Sequence, residues 1–349
     1  MAGGPGGRGS RGRRVIGDTS IFDTSVGGYW IPLVMKAVAV LAVFLVVPLA
    51  VGYMEHKVLA HMQARLGPME AGAFHGWAQL VADGVKFIQK EDVVPAAADA
   101  GVFSLAPAVV LIPYIVTLVA IPFGPRLYAL DLDVGVFFVL AMSSVGVIGV
   151  LMAGWASANK FSLIGALRAA AQLIAYELPL VLVSAAVVMQ AGSMSLLQIT
   201  QAQSHYWNIV YPWQLVGFVI FMMAAVAELT RPPFDMPVAD SEIIFGAYTE
   251  YTGLKFAFFL LSEYGGIVVM SAVAAVLYLG GYQPIGGLSI IPGFLWMFGK
   301  IFALSFIIIW LRATFPRLRE DQLQRFAWIG LTPLALALIL VTSVYKVGV

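Results

Sequence analysis

The residues with the most chemical potential in this 349-residue chain are its carboxylates. Five of them, Glu228, Asp235, Asp240, Glu242 and Glu250, fall in one stretch that is broken by a single base, Arg231. Glu177 and Glu263 lie inside long apolar runs, and Glu55 ends another. An ionised side chain at the bilayer centre costs about 2.5–3.5 kcal/mol on insertion scales, so acids kept there are paired, neutral or useful. Clustered carboxylates in a low dielectric cannot all stay ionised, and such a cluster takes up and releases protons when a nearby charge changes. That is the chemistry of a proton path. Each acid alone also fits a structural ion pair or an interfacial anchor. Glu228 and Arg231, at i and i+3 on a helical turn, are expected to form one such pair. Glu177 precedes Leu178-Pro179, where proline is expected to open the helix locally beside a protonatable group. A plain hydrogen bond to a neighbouring helix is the alternative.

Other chemistries lack their residues. There is no cysteine, hence no disulfide, thiolate nucleophile, iron–sulfur cluster or cysteine zinc site in this chain. The four histidines, His56, His61, His75 and His205, contain no i, i+4 pair of the kind that binds metal on a helix. No metal ligand is assigned. Any redox centre must sit on a partner or on a diffusible substrate.

The elements that would position these acids are transmembrane helices. The chain is 60% hydrophobic and 11% charged, against about 25% charged in soluble domains. Too little charge exists to cover a soluble surface, and a formal net charge of +1 argues against a nucleic-acid binder. Eight apolar stretches, at about 31–54, 101–123, 134–155, 172–191, 213–229, 256–279, 294–311 and 326–345, are each long enough to cross about 30 Å of hydrocarbon. The fold class expected is therefore an all-α integral membrane protein with eight transmembrane helices in a single polytopic domain over 31–349. Residues 1–30 open with a Gly/Arg-rich segment and are expected to be a disordered tail. No cleaved signal is expected, since the first apolar run is long enough to span.

Twelve bases, from Lys57 to Arg325, fall in the loops after odd-numbered spans, whereas loops after even spans hold only Arg126. The positive-inside rule then puts the odd loops in the cytoplasm and both termini outside. Arg8, Arg11, Arg13 and Arg14 of the tail disagree, but the four loops together outnumber them. In the first loop, Trp77, Leu80, Val81, Val85 and Ile88 share one helical face, with Gln79, Asp83, Lys86 and Lys90 opposite. This pattern reads as an amphipathic helix lying on the membrane or on a partner.

Several segments, in order, resemble one family. They are EHKVLA (55–60) with QARLGP (63–68), then ADGVK (82–86) and KED (90–92), and NKFSLIGALRAAAQLIAYELP (159–179). The long stretch AELTRPPFDMPVADSEIIFGAYTEYTGLKFAFFLLSEY (227–264) and RATFPRLR (312–319) with DQL (321–323) complete the set. Together they are similar to the H subunit of bacterial NADH–quinone oxidoreductase (respiratory complex I), equivalent to subunit 1 of the mitochondrial enzyme. The resemblance implies a non-autonomous subunit of a proton-translocating NADH:quinone oxidoreductase in the bacterial cell membrane. It implies a quinone-access chamber that takes its hydrophobic substrate from lipid between the first span, the sixth span and the first-loop helix. Chamber residues would be Glu55, His56, Lys57, Arg65, Arg231, Asp235, Asp240 and Glu242. Glu177, Glu228, Glu250 and Glu263 would carry the coupling to proton movement. FMN, NADH and iron–sulfur clusters would belong to peripheral-arm partners, with antiporter-like membrane subunits on the other side.

The chain departs from the family pattern in four places. His56 stands where the family usually has arginine, GPMEAGA (67–73) replaces a more basic segment, Val238 occupies a commonly acidic position, and Asp240 stands in place of glutamate. Two rivals follow from the residues. One is the anchor subunit of a related hydrogenase or other donor-linked complex. The other, of a different class, is a stand-alone proton-coupled transporter, against which the long loops and the lack of a visible internal repeat argue.

Overall fold

The computed structural model describes residues 30–238, 240–284 and 290–348, without the side chains of 240 and 241. The tail therefore lies outside the described residues. The chain order is α1 (Trp30–Met62), α2 (Gln79–Gln89), α3 (Ala100–Ala120), α4 (Gly135–Ala156), α5 (Lys160–Ala191) and α6 (Leu196–Ala202). Then come α7 (Pro212–Glu228), α8 (Asp240–Ile243), α9 (Gly253–Tyr278), α10 (Gly293–Thr314), α11 (Glu320–Arg325) and α12 (Thr332–Gly348). A π-helical turn, Phe326–Leu331, joins the last two. Among the described residues there is no strand, as the all-α reading requires.

Seven of these segments are long and apolar enough to cross a membrane, counting α11 to α12 as one. The fifth apolar stretch forms a helix where expected, but at 17 residues α7 is shorter than the others. At 1.5 Å per residue it covers roughly 25 Å. Two helices outrun their apolar stretches. α1 continues past residue 54 to Met62, and α5 begins at Lys160, three turns before the stretch at 172. Polar ends extend helices that hydropathy alone truncates. Asn159 caps α5 by accepting from the Phe161 N–H at 2.9 Å, and Gly192 closes it with a left-handed φ of +74°.

The expected opening at Pro179 does not occur. α5 runs unbroken through it, with Pro179 on the buried face of a helix that packs against α4, α7 and α12. Tertiary packing compensates for the lost hydrogen bond. α9 is the most enclosed helix and packs on α1, α3, α7 and α10. In lipid, helices associate through close packing rather than hydrophobic expulsion, so small residues set the approach. One tight contact of this kind seats the segment around Gly246 on α5. A Cβ on Gly165 would lie 2.5 Å from Gly246 Cα, and one on Gly246 would lie 1.9 Å from the Pro237 carbonyl oxygen. Gly246 also has φ +54°, which glycine adopts without strain.

α2 appears where the apolar spacing of the first loop predicts a helix. None of its residues is buried, and Val81, Val85 and Ile88 are exposed.

Candidate functional site

Three helices and the segment that follows a fourth meet at one partly buried charge cluster. Glu55 comes from α1, Glu263 from α9, and Arg312 from the last turn of α10; Arg231 lies three residues beyond α7. Arg231 Nη1 donates to Glu55 Oε2 and Arg312 Nη1 donates to Glu55 Oε1. Arg231 Nη2 stands 2.8 Å from Glu263 Oε1, and its guanidinium lies 5.1 Å from the Tyr264 ring centroid. Glu55 and Arg231 are 2% and 1% exposed. Charge-assisted bonds to both oxygens of one carboxylate are strong. Two acids and two bases balance in formal charge, and the pair at the buried end, Glu55 and Arg231, offsets part of the desolvation cost of each partner. Burial works against the charge of Arg231, but Glu263 and Glu55 outweigh it and hold the guanidinium's pKa above its ordinary value.

The end of α7 explains where Arg231 points. The Thr230 N–H bonds to the Ala227 carbonyl at 3.1 Å and the Arg231 N–H to the Val226 carbonyl at 3.3 Å. This is a Schellman motif, with Thr230 at φ +50° in the place usually held by glycine. A left-handed backbone costs a residue with a Cβ about 1–2 kcal/mol. The reversal takes Arg231 off the helical screw, so it does not stand one turn above Glu228. The expected Glu228–Arg231 pair is therefore not formed; Arg231 goes to α1 and α9 instead.

Beside the cluster is a cavity of about 300 Å³ walled by Glu228, Arg231, Asp235, Glu263 and Arg312, with Tyr114, Tyr248 and Tyr264. Glu228 faces Ser143 and lies within the electrostatic reach of Glu177, and its Oε2 is buried without a hydrogen-bond partner. Tyr114 is close enough to feel both Glu228 and Glu263. Glu177 accepts the Ser144 hydroxyl. Glu263 and Glu228 thus line one cavity, and Glu177 acts on Glu228 electrostatically. Tyr248, outside the spans, is kept protonated by burial, which pushes its pKa up, and secondarily by Glu263.

Other candidates sit elsewhere. Asp235 reaches the cavity but also pairs with Arg317 Nε at 2.9 Å. Glu242 is exposed and pairs with Arg168 at 2.6 Å; that hydrogen bond holds its carboxyl below the usual carboxylate range. Glu250 accepts from Asn159 Nδ2 at 2.5 Å. Lys57 Nζ donates to the Pro68 carbonyl at 2.5 Å and ties down the loop that follows α1. Arg65 is exposed and bonds Gln63 at 2.8 Å. His56 Nδ1 is buried without a partner. The side chain of Asp240 lies outside the described residues. Glu55, Arg231, Asp235, Glu228 and Glu263 are thus brought together with Glu177 behind, whereas Lys57, Arg65, Glu242 and Glu250 are not. Sequence reasoning did not pick out Arg312, Ser143, Ser144 or Tyr114 as site residues. Arg312 had one signal, a base closing an apolar run, which needs an acid opposite it. Among the described residues, no three His, Asp or Glu side chains gather as a metal site.

Comparison with known proteins decides the family. The model of the NADH dehydrogenase family matches residues 35–343. The NADH-quinone oxidoreductase H subunit of Bacillus mycoides (strain KBAB4) is 47% identical over 292 residues, covering 84% of this chain and 87% of the relative. This chain belongs to the same H-subunit family. The H subunit of Bacillus thuringiensis subsp. konkukian (strain 97-27) matches equally, and that of Bacillus cereus (strain AH187) is 46% identical over the same length. Members of this family are membrane subunits of complex I, an oxidoreductase assembly, so the chain's partners include other complex I subunits. The long apolar helices agree with a multi-pass membrane subunit.

Proposed function

We propose that this subunit forms the quinone-access chamber of its complex and begins the acidic path that couples quinone reduction to proton movement. The observation that carries this reading is the sharing of Arg231 between Glu55 and Glu263 at the wall of the same cavity that Glu228 lines. A quinone head that gains electrons near this cavity gains negative charge and demands protons. Arg231 and Arg312 attract that charge, and their grip on Glu55 and Glu263 weakens as they do so. Loosened acids then change their protonation, and Glu228 and Glu177 continue the series toward adjacent subunits. Asp235, held by Arg317, sits at the outer edge of the same wall. Asp240, Glu242 and Glu250 extend the acid-rich segment beyond it.

In this reading the substrate arrives from lipid between α1, α9 and α2, whose exposed Val81, Val85 and Ile88 suit a membrane surface. His56, Lys57 and Arg65 shape the neighbouring loop. The chain is one polytopic domain with α7 as an eighth, short span, odd loops cytoplasmic and both termini outside. NADH, FMN and iron–sulfur clusters belong to peripheral-arm partners, and antiporter-like subunits receive the coupled change. The test is photolabelling of membranes with an azido-quinone, followed by peptide mapping. Label is expected in the 245–264 segment and at α4. Label confined to other subunits would contradict the chamber.

A further inference from the structure

The turn that aims Arg231 is strained and needs a reason to hold. Thr230 is β-branched, yet it occupies the left-handed region at φ +50°. Such a conformation persists only where its surroundings over-determine it. One buried side chain brackets it. Gln172 of α5 is fully buried, and its Nε2 donates to the carbonyls of Ala227 and Phe234, each at 2.7 Å. Ala227 belongs to the last turn of α7 and Phe234 closes the loop, so one amide spans the segment that carries Glu228, Thr230 and Arg231. Tyr176, one turn further along α5, packs its ring 5.3 Å from that of Phe234, which supports one end only.

We propose that Gln172 is a positioning residue: its amide straps the two ends of the 227–234 turn and so aims Arg231 at Glu55 and Glu263. The inference rests on the chamber reading of that cluster. Glutamine suits the task because one NH₂ group offers two hydrogens to two carbonyls. A hydrophobic residue of similar size fills the same space and offers none. Without the strap, Thr230 is free to relax toward φ below zero, and Arg231 turns away from its two carboxylates. Glycine at 230 adopts the native conformation without strain.

The experiment uses the whole complex in native membranes. Gln172→Leu is expected to lower NADH:quinone turnover about tenfold or more, as a misplacement of working groups by about 1 Å does. NADH oxidation by ferricyanide, which takes electrons before quinone, stays at the parental rate and reports assembly. Adding Thr230→Gly to Gln172→Leu is expected to restore most of the lost turnover. Should Gln172→Leu alone fail to assemble, the double variant is expected to restore assembly. Parental turnover in assembled Gln172→Leu overturns the proposal. So does a defect, in turnover or in assembly, that Thr230→Gly leaves unchanged, because that marks simple packing. Arg231→Met separates the two levels: if it retains parental quinone turnover, the chamber reading fails; if it loses turnover while Gln172→Leu does not, only the strap fails.

Discussion

Arg231 and Glu55 lie 176 residues apart in the chain and meet in a buried bond that joins α1 to the segment following α7. Glu55 is gripped on its second oxygen by Arg312, so α10 is drawn into the same contact. Three distant parts of the chain therefore share one carboxylate, and a change in any of the charges is felt by all of them.

Arg231→Met removes a nearly inaccessible cation and takes one of the two bases from the buried Glu55 carboxylate. Breaking one side of a buried pair costs about 3–5 kcal/mol. The complex carrying this variant is expected to dissociate at a lower temperature in a thermal ramp. Arg231→Lys is expected to fall between, since an ammonium cannot reproduce the fork that reaches two carboxylates. An unchanged dissociation temperature for Arg231→Met would contradict the assigned pairing.

Glu242 makes the opposite case. Its bond to Arg168 is exposed to solvent, and surface pairs contribute about 0–1 kcal/mol. Glu242→Gln is expected to change stability little. Because the carboxyl is held below its ordinary range, its contribution is present above the unfolded pKa and is lost as pH falls through the folded one. Stability of parent and variant should therefore converge in acid and differ slightly near neutrality. A large difference at neutral pH, seen by thermal dissociation, would show that Glu242 is buried by something beyond this chain.

Gly165 tests how the acid-rich segment is seated. A valine there would drive its Cβ into the backbone of Gly246. Overpacking of this kind costs about 1–3 kcal/mol. Gly165→Val is expected to raise proteolytic cleavage in the 235–252 segment, while Gly165→Ala has a smaller effect. Equal protease resistance of parent and Gly165→Val would rule out the tight seating.

Much of this arrangement is legible in the amino-acid residues alone. Apolar runs locate the helices, and the spacing around Val81 and Val85 locates α2. The cost of charge in lipid singles out Glu55, Glu177, Glu228 and Glu263. Two things are not legible. Helix ends are set by caps and partners, so Asn159 and the polar end of α1 carry helices past their apolar runs. Lateral pairing is set by tertiary contact. Glu228 and Arg231 look like helical neighbours only if the helix continues, and Thr230 ends it. No local pattern says that Arg231 then finds an acid from α1, nor that Gln172 bridges two carbonyls across the loop.

Glu228 tests most sharply the proposal that acids along the cavity couple quinone chemistry to protons. It lines the cavity together with Glu263, carries an oxygen without a hydrogen-bond partner, and interacts electrostatically with Glu177. Glu228→Gln keeps the shape and removes the titratable proton. The direct measurement is protons moved per NADH oxidised in liposomes containing the assembled complex, with quinone as acceptor. A clear fall in that ratio or in quinone-linked turnover is expected, with assembly and ferricyanide reduction retained. Parental turnover together with a parental proton ratio would contradict it.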